Sequence, residues 1–217
     1  MMAQFADREE AGQRLAQELS RYEDRDDVVV LGLPRGGVPV AFEVAKALKA
    51  SLDVFVVRKL GVPANPELAM GAIASDGARV MNEGVVRRMN VSEEAIERVA
   101  EKERKKLKER EEVYRGARPA VELSGKQVIL VDDGLATGAT MRAAVLALRQ
   151  SDPERIVVAV PTTPPDTCAE FKDLVDEVVC LTQPKPFFGV GGAYRDFSQT
   201  TNGEVRSLLE RSDEFSE

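Results

Sequence analysis

The sequence contains no histidine and only two cysteines among its 217 residues. Without histidine, the chain cannot use a Ser-His-Asp triad, a Cys-His pair, a histidine general base or a histidine-ligated zinc ion. Cys168 and Cys180 lie in a candidate helix and a candidate strand, so we expect two buried free thiols rather than a disulfide or a metal pair. Any chemistry must therefore use carboxylates, Arg, Lys, Tyr, backbone amides or a bound metal ion.

Long apolar segments are missing as well. No stretch reaches the roughly 20 uninterrupted apolar residues that a membrane helix needs, and the amino-terminal segment is charged from Asp7 onward without an apolar signal core. We therefore expect a soluble, cytoplasmic protein with no membrane partner. The net charge of −7 and the pI near 5.0 argue against a broad DNA-binding surface, although a local basic patch for RNA stays open.

The order of apolar segments predicts the fold class. With 43% apolar and 31% charged residues, the chain can bury one sizeable core, so we predict a single domain over 1–217. Short apolar runs typical of buried strands alternate with segments of helical periodicity, which predicts an α/β fold. We expect an open, mainly parallel sheet of about five strands with helices on both faces. The predicted strands are 28–33, 53–57, 127–131, 155–160 and 177–181, and the predicted helices are 7–22, 38–50, 92–115, 140–150, 166–174 and a short one near the carboxyl terminus.

A long segment rich in glycine and proline follows the first strand–helix–strand unit. Within it, GAIAS and ARVMN flank Asp76-Gly77 as the strands of a hairpin would. Ser92 then caps a helix whose charge run is typical of a solvated face. Because long excursions between core elements are usually functional, we expect a functional role for 60–88.

The most informative stretch is VILVDDGLATGAT, residues 128–140. Ligands of open α/β sheets bind beyond the carboxyl ends of the strands, and this is where Asp132 and Asp133 are predicted. The small residues that follow let an anion approach the backbone, while Thr137 and Thr140 add hydroxyl donors at a helix start. A Walker loop is excluded because no lysine precedes the hydroxyl residue. The stretch therefore predicts a phosphate-binding loop.

Two carboxylates directly before a phosphate-binding loop need something between them and the phosphate, because the charges repel. A sugar can lie there, with its hydroxyl groups donating hydrogen bonds to the two carboxylates. A magnesium ion can also bridge the two, since hard cations prefer oxygen ligands. An acidic turn with a helix cap is the alternative without a ligand, but the ordered combination favours a sugar-phosphate site.

The same stretch resembles the 5-phosphoribosyl-1-pyrophosphate (PRPP) binding motif of the type I phosphoribosyltransferases: an apolar strand, two acids, a small-residue loop, then Thr-Gly-x-Thr. The resemblance implies that Asp132 and Asp133 hold the ribose hydroxyls and contact Mg²⁺ indirectly, through water or those hydroxyls. It also implies a hood over the carboxyl edge of the sheet, a possible homodimer and a role in nucleotide metabolism. The implied ligands of the 5′-phosphate are Ala136, Thr137, Gly138, Ala139 and Thr140.

A second stretch, LPRGGVPVA at 33–41, resembles the pyrophosphate loop of the same family. The resemblance implies that Arg35 and the backbone of Gly36 and Gly37 bind the leaving group, and that this loop can carry a cis peptide. Arginine beside an exposed, flexible backbone suits a diphosphate because its guanidinium donates two parallel hydrogen bonds.

Basic residues beyond the second predicted strand complete the expected site. Arg58 and Lys59 are predicted to end that strand, which brings them to the same edge of the sheet, and basic residues there in relatives touch pyrophosphate. The insert 60–88 takes the place of the family's flexible catalytic loop, a lid that would exclude water. It departs from better-known relatives because 61–78 contains no Lys or Arg. The basic residues that remain for a lid contact are Arg79, Arg87 and Arg88.

The segment 184–217 contains PFFGVGGAYRDFSQTTNGEV, which resembles the hood of a poorly characterised branch of the family. Its aromatic side chains either offer a stacking wall to a planar acceptor such as a nucleobase or pack the hood on the sheet. These side chains are Phe187, Phe188, Tyr194 and Phe197.

Together these features predict a pentosyltransferase that moves the phosphoribosyl group from Mg-PRPP to an unidentified, nucleobase-like acceptor and releases pyrophosphate. The expected catalytic residues are Arg35, Lys59, Asp132 and Asp133, which act by electrostatic stabilisation together with Mg²⁺. A PRPP-binding regulator without transferase activity is the main alternative. A phosphorylated receiver domain is a third, but it leaves PRGG unexplained.

Overall fold

The computed structural model describes residues 4–75 and 77–215. Its strands are β1 (Val28–Gly32), β2 (Ser51–Val54), β3 (Val57–Val62), β4 (Asn65–Ala74), β5 (Arg79–Met81), β6 (Gln127–Val131), β7 (Arg155–Thr162) and β8 (Glu177–Thr182). Its helices are α1 (Arg8–Glu18), α2 (Gly37–Leu48), α3 (Glu83–Arg88), α4 (Glu93–Arg115), α5 (Ala139–Leu148), α6 (Pro165–Phe171) and α7 (Asn202–Ser212). None of the helices in these two described ranges is long and apolar enough to cross a membrane.

Five of the strands form the main sheet, in the order β2-β1-β6-β7-β8. Every neighbouring pair is parallel, so the predicted α/β fold with an open parallel sheet is confirmed. The chain order reverses direction across the sheet between β1 and β6, because β2 lies on one side of β1 and the later strands lie on the other. In open α/β sheets, a crevice for a ligand opens at such a reversal.

Side-chain alternation along the central strands divides the core into two layers. Val30 and Ile129 belong to the layer covered by α1, α2 and α7, whereas Leu31 and Leu130 belong to the layer covered by α5 and α6. All residues of β1 and β6 are buried, as expected for strands covered by helices on both faces. These two strands form a rigid base for whatever follows their carboxyl ends.

The insert forms a second, antiparallel sheet in the order β3-β4-β5. Its predicted hairpin is confirmed, although Asp76 at its tip lies outside the described residues.

The prediction that Arg58 and Lys59 end the second strand was wrong. β2 ends at Val54, and both basic residues lie inside β3, which pairs with β4. The continuous apolar run over 54–57 hides the point where the chain leaves one sheet for the other.

The predicted free thiols are also corrected by the structure. Cys168 in α6 and Cys180 in β8 form a disulfide, with their Cα atoms 6.7 Å apart. The sequence shows each cysteine in its own element. It does not show that the helix packs beside that strand, which is a long-range property of the fold.

A buried ion pair ties β2 to the end of α4. Asp53 is 5% exposed and accepts two hydrogen bonds from Arg115 Nε, at 2.9 and 3.0 Å. Val121 N donates to the same carboxylate at 3.2 Å, and Arg115 also contacts Glu111 and the Val54 carbonyl. Removing one partner of such a pair leaves a buried charge without compensation.

We expect Asp53→Ala to lower the free energy of unfolding by roughly 3–5 kcal/mol, the usual effect of breaking a buried ion pair. The matched control is Asp213→Ala, because the Asp213 carboxylate also pairs with a basic side chain, Arg118, but is 63% exposed. The control should cost less than about 1 kcal/mol. Urea denaturation followed by circular dichroism measures both values, and equal losses would contradict the assigned role of Asp53.

Candidate active site

The acid pair lies at the carboxyl end of the central strand. β6 ends at Val131, and Asp132 and Asp133 follow directly. The Asp133 N–H donates to Asp132 Oδ1 at 2.9 Å, which fixes one carboxylate against the backbone of the next residue. They lie at the carboxyl edge of the sheet, where they were predicted, and both are partly buried.

The PRGG loop after β1 packs directly against these acids. A Cβ atom at Gly37 would lie 2.7 Å from the Val131 carbonyl oxygen and 2.8 Å from Asp132 Cα, and a Cβ atom at Gly36 would collide with Asp133 Oδ2. Both positions therefore require glycine. The peptide bond between Pro34 and Arg35 is cis, as the family resemblance allowed. The sequence prediction that this loop and the acids share one site agrees with this packing.

The loop after the acid pair has the shape of an anion cradle. Gly138 takes a left-handed conformation (φ +69°) and begins α5, and its Cβ position is filled by Phe171. Within the described residues, no backbone N–H group of 136–140 donates to a protein acceptor. Thr137 and Thr140 are exposed beside these free N–H groups. Free N–H groups at the positive end of a helix, with hydroxyls beside them, are a suitable phosphate site.

Burial and mutual repulsion shape the electrostatics of the pair. Burial raises the pKa of Asp132 well above its ordinary value, and the neighbouring Asp133 charge raises it further. Burial also raises the pKa of Asp133, while the guanidinium of Arg8 partly offsets this effect. The protein therefore holds two carboxylates in a place where their ionisation is unfavourable without a cation or hydrogen-bond donors.

Arg8 is a site residue that the sequence reasoning missed. It is the first residue of α1, yet its Nε and Nη2 atoms both lie 2.8 Å from Asp133 Oδ2. Its Nη1 donates to the Ser198 carbonyl at 2.7 Å, and its guanidinium lies 4.0 Å from the ring centroid of Phe197. The sequence offered one indication that Arg8 is unusual: it stands at a helix start, where the helix dipole favours acidic residues.

The hood aromatics differ in burial. Tyr194 is buried, packs against Phe5 and Phe197, and donates its hydroxyl to the Asp133 carbonyl at 2.6 Å. By contrast, Phe188 is 74% exposed, and Phe187 is partly exposed. Tyr194 therefore fastens the hood to the acid pair, and the packing interpretation holds for that residue.

A buried hydroxyl beneath the hood was not expected. Thr162, at the end of β7, is fully buried, and its Oγ1 atom has no hydrogen-bond partner in the part of the chain that the structure describes. It lines a cavity of about 40 Å³ together with Phe188, Gly189 and Pro186. A cavity of this size has room for water.

Three of the remaining basic candidates, Arg58, Lys59 and Arg79, are engaged elsewhere. Arg58 donates to Glu103 Oε2 at 2.6 and 2.9 Å, and Lys59 lies 3.2 Å from the Glu67 carbonyl. Arg79 pairs with Glu97 at 2.7 Å. Arg87 and Arg88 lie in the last turn of α3. In this conformation Arg58, Lys59 and Arg79 are held by acids of the insert and of α4, whereas Arg35 makes no ion pair with any described residue.

The parallel sheet brings an acid pair, a glycine-lined loop and a helix-start anion cradle to one edge, and such an edge is where open α/β sheets bind ligands. Comparison with known families agrees: the model of the phosphoribosyl transferase domain matches residues 2–195. The chain belongs to the phosphoribosyl transferase family, and the family resemblance drawn from the sequence is confirmed.

Two relatives come from Mycobacterium tuberculosis strains and carry the names "Putative phosphoribosyl transferase Rv0571c" and "Putative phosphoribosyl transferase MT0597". Each is 51% identical over 211 residues, which is 97% of this chain. The chain spans about half the length of these relatives, 47% in each case. Among solved structures, TT1426 from Thermus thermophilus is 43% identical, with a TM-score of 0.86 over 96% of this chain and 98% of that one.

The raised pKa of Asp132 predicts a pH-dependent effect on stability. A carboxyl whose pKa is higher in the folded than in the unfolded state binds more protons when folded, so stability falls as pH rises from the unfolded pKa through the folded one. Asp132→Asn removes this penalty and keeps an oxygen that can accept from Asp133 N. In metal-free buffer at pH 7.5 we expect its Tm to exceed that of the wild type by roughly 2–4 °C, the effect of about 1 kcal/mol in a domain of this size.

This difference should shrink as pH is lowered towards 4, because the wild-type carboxyl then becomes neutral in both states. Asp166→Asn is the control, since that side chain is 92% exposed, and its Tm should follow the wild type at each pH. Scanning calorimetry across the pH range measures all three proteins. A lower Tm for Asp132→Asn at pH 7.5 would mean that the ionised carboxylate stabilises the ligand-free fold.

Proposed function

We propose that this protein binds Mg-PRPP at the carboxyl edge of the main sheet and transfers its 5-phosphoribosyl group to a nucleobase-like nitrogen acceptor, with release of pyrophosphate. The observation that carries this proposal is the direct packing of the PRGG loop against the acid pair, next to a loop with free N–H groups. One ligand with a diphosphate, a diol and a terminal phosphate can span these three neighbouring features.

The loop 136–140 is assigned to the 5′-phosphate. Its free backbone N–H groups and the hydroxyls of Thr137 and Thr140 donate hydrogen bonds, and the start of α5 adds a favourable dipole. Thr167 Oγ1 donates to the Ala136 carbonyl at 3.1 Å, which holds the loop from behind. The loop is therefore prepared for an anion before the ligand arrives.

The acids Asp132 and Asp133 are assigned to the ribose hydroxyls. Hydroxyl donors satisfy the carboxylates, and the sugar separates these negative charges from the phosphate. During transfer the bond from the anomeric carbon to the pyrophosphate oxygen breaks and a bond to the acceptor nitrogen forms. Positive charge that grows on the ribose at this stage is stabilised by the two nearby carboxylates.

Arg35, with the backbone of Gly36 and Gly37, is assigned to the leaving diphosphate. Arg35 makes no ion pair with any described residue, so its guanidinium is available for a bidentate contact with phosphate oxygens. Lys59 and Arg58 join it only if the insert rearranges, because each is held by an acid in this conformation. Their role as pyrophosphate ligands depends on that movement.

The acid pair also fits the magnesium ion that this family uses. It supplies hard oxygen donors, and no group of three or more acidic, cysteine or histidine side chains suited to a metal occurs in the described ranges. Magnesium usually binds through one or two carboxylates, with water and substrate phosphates as its other ligands. Asp132 and Asp133 would hold the ion through water or ribose hydroxyls, and a bound ion would supply positive charge against the departing diphosphate.

The acceptor would bind against the hood. Phe188 offers an exposed aromatic face there. Such a face is suited to stacking on a planar heterocycle.

A PRPP-binding regulator is the second candidate. It is favoured by the absence of Lys and Arg from 61–78 and by the ion pairs that hold Arg58 and Lys59. Fewer cations around the leaving diphosphate would permit binding without transfer. Pyrophosphate release separates the two candidates.

We expect the double variant Asp132→Asn, Asp133→Asn to fold and to lose at least about tenfold in Mg-PRPP affinity, since charged hydrogen bonds to the ribose are each worth roughly 1.5–3 kcal/mol. Calorimetric titration of PRPP with magnesium measures this loss. Asp166→Asn, on an exposed side chain, is the control and should bind as the wild type does. Unchanged affinity in the double variant would refute the site assignment.

The same preparations, screened for pyrophosphate release with a panel of nucleobases, test the transfer reaction. Release with one base supports the enzyme and identifies its acceptor class. Binding of PRPP without release for any base supports the regulator.

A further inference from the structure

The contacts of Arg8 lie outside every motif that resembles the family. Arg8 comes from α1, at the opposite end of the chain from the hood, and it is separated by 125 residues from Asp133. Its side chain is 12% exposed and that of Asp133 is 13% exposed. The pair is therefore largely removed from water, and the Coulomb attraction between its two charges is screened less than on the surface.

Three neighbours fix the guanidinium in place. Two of its nitrogens contact the same oxygen, Asp133 Oδ2, and the third donates to the Ser198 carbonyl. Phe197 covers its face at 4.0 Å, a cation–π distance. A Cβ atom built at Gly36 would lie 3.3 Å from Arg8 Nε, so the arginine also packs against the PRGG loop. The side chain thus joins the acid pair, the PRGG loop and the hood.

A purely structural role explains this arrangement poorly. A cation in the first turn of a helix opposes the helix dipole, and a buried ion pair adds little net stability. Sequences break such local rules mainly at functional sites. The neighbouring Asp133 is held from other sides too, because its carbonyl accepts from Tyr194 and its N–H donates to Asp132.

We propose that Arg8 is a positioning residue for PRPP binding: it occupies Asp133 Oδ2, leaves Oδ1 to the ribose hydroxyls and places a fixed positive charge beside the acid pair. This inference rests on the proposed function. PRPP is strongly anionic, so two carboxylates next to it repel it unless a cation offsets their charge. Arg8 supplies that cation from α1, in a chain whose insert has no basic residue over 61–78.

The matched pair of variants is Arg8→Gln and Arg14→Gln. Arg14 lies on the same helix, donates to a backbone carbonyl (Gln4) and covers an aromatic ring (Phe5, at 4.7 Å), but it does not touch the acid pair. In calorimetric titrations without acceptor, we expect Arg8→Gln to weaken Mg-PRPP binding at least about tenfold and Arg14→Gln to change it less than about twofold. Arg8→Lys should recover part of the loss, because it restores the charge without the two-nitrogen contact.

If an acceptor is turned over, the change in Arg8→Gln should appear mainly in the KM for PRPP, with a smaller change in kcat. Phe197→Leu is the second variant in case Arg8→Gln does not fold: it removes the ring that covers the guanidinium, keeps the charge and should weaken binding to a smaller extent. Binding by Arg8→Gln within twofold of the wild type, or tighter than the wild type, would overturn the proposal. The second result would mean that Arg8 competes with the ligand.

A stability cycle tests the contact without PRPP. The Tm shifts of Arg8→Gln and Asp133→Asn should be non-additive in the double variant, since both remove one interaction. Additive shifts would overturn the positioning role. If the wild type binds no PRPP, the proposed function fails and the PRPP role of Arg8 fails with it, whereas binding by the wild type with an unaffected Arg8→Gln overturns the Arg8 proposal alone.

Discussion

Two adjacent carboxylates lie partly buried at the carboxyl end of the central strand, and their charge constrains everything packed around them. Burying an ionised carboxylate is unfavourable unless hydrogen bonds or opposite charges compensate it. The Asp132 carboxylate accepts from the N–H of Asp133 and lies near the positive charge of Arg8, while Asp133 is compensated mainly by Arg8 itself. The raised pKa of both groups follows from this incomplete compensation. A site that is unfavourable when empty gains the most from a ligand that brings hydroxyl donors and a cation.

The amino-terminal part of the described chain and the hood meet beside this acid pair. Backbone hydrogen bonds join Phe5 to Ala193 and Arg195, and Tyr194 pairs with Phe5 in an isolated parallel bridge. Next to this backbone contact, the Arg8 side chain binds the Asp133 carboxylate and the Tyr194 hydroxyl donates to the Asp133 carbonyl. The hood is thus mechanically connected to the acids that we assign to the ribose.

The predictions from sequence succeeded where the signal was local. The five core strands, the helix cap at Ser92 and the turn of small residues after Asp133 all follow from periodicity and from residue chemistry within a few positions. These features are enough to bring the PRGG loop and the acid pair to neighbouring strand ends, since parallel strands share one edge.

What the sequence did not reveal depends on packing between distant segments. The exit of the chain from β2 into a second sheet is hidden in an apolar run, so Arg58 and Lys59 were placed on the wrong strand. The disulfide requires α6 to lie beside β8, and the Arg8 contact requires α1 to lie beside the end of β6. Neither of these contacts between elements produces a periodic or compositional pattern in the sequence. The arginine at the start of α1 was a local anomaly whose partner only the fold identifies.

The most direct test of the account is a crystal structure of the protein grown with PRPP and magnesium. The account predicts density for the 5′-phosphate at the N–H groups of 136–140, ribose hydroxyls within hydrogen-bond distance of Asp132 and Asp133, and the diphosphate against the PRGG loop. PRPP bound elsewhere, or with its ribose turned away from the acid pair, would contradict it.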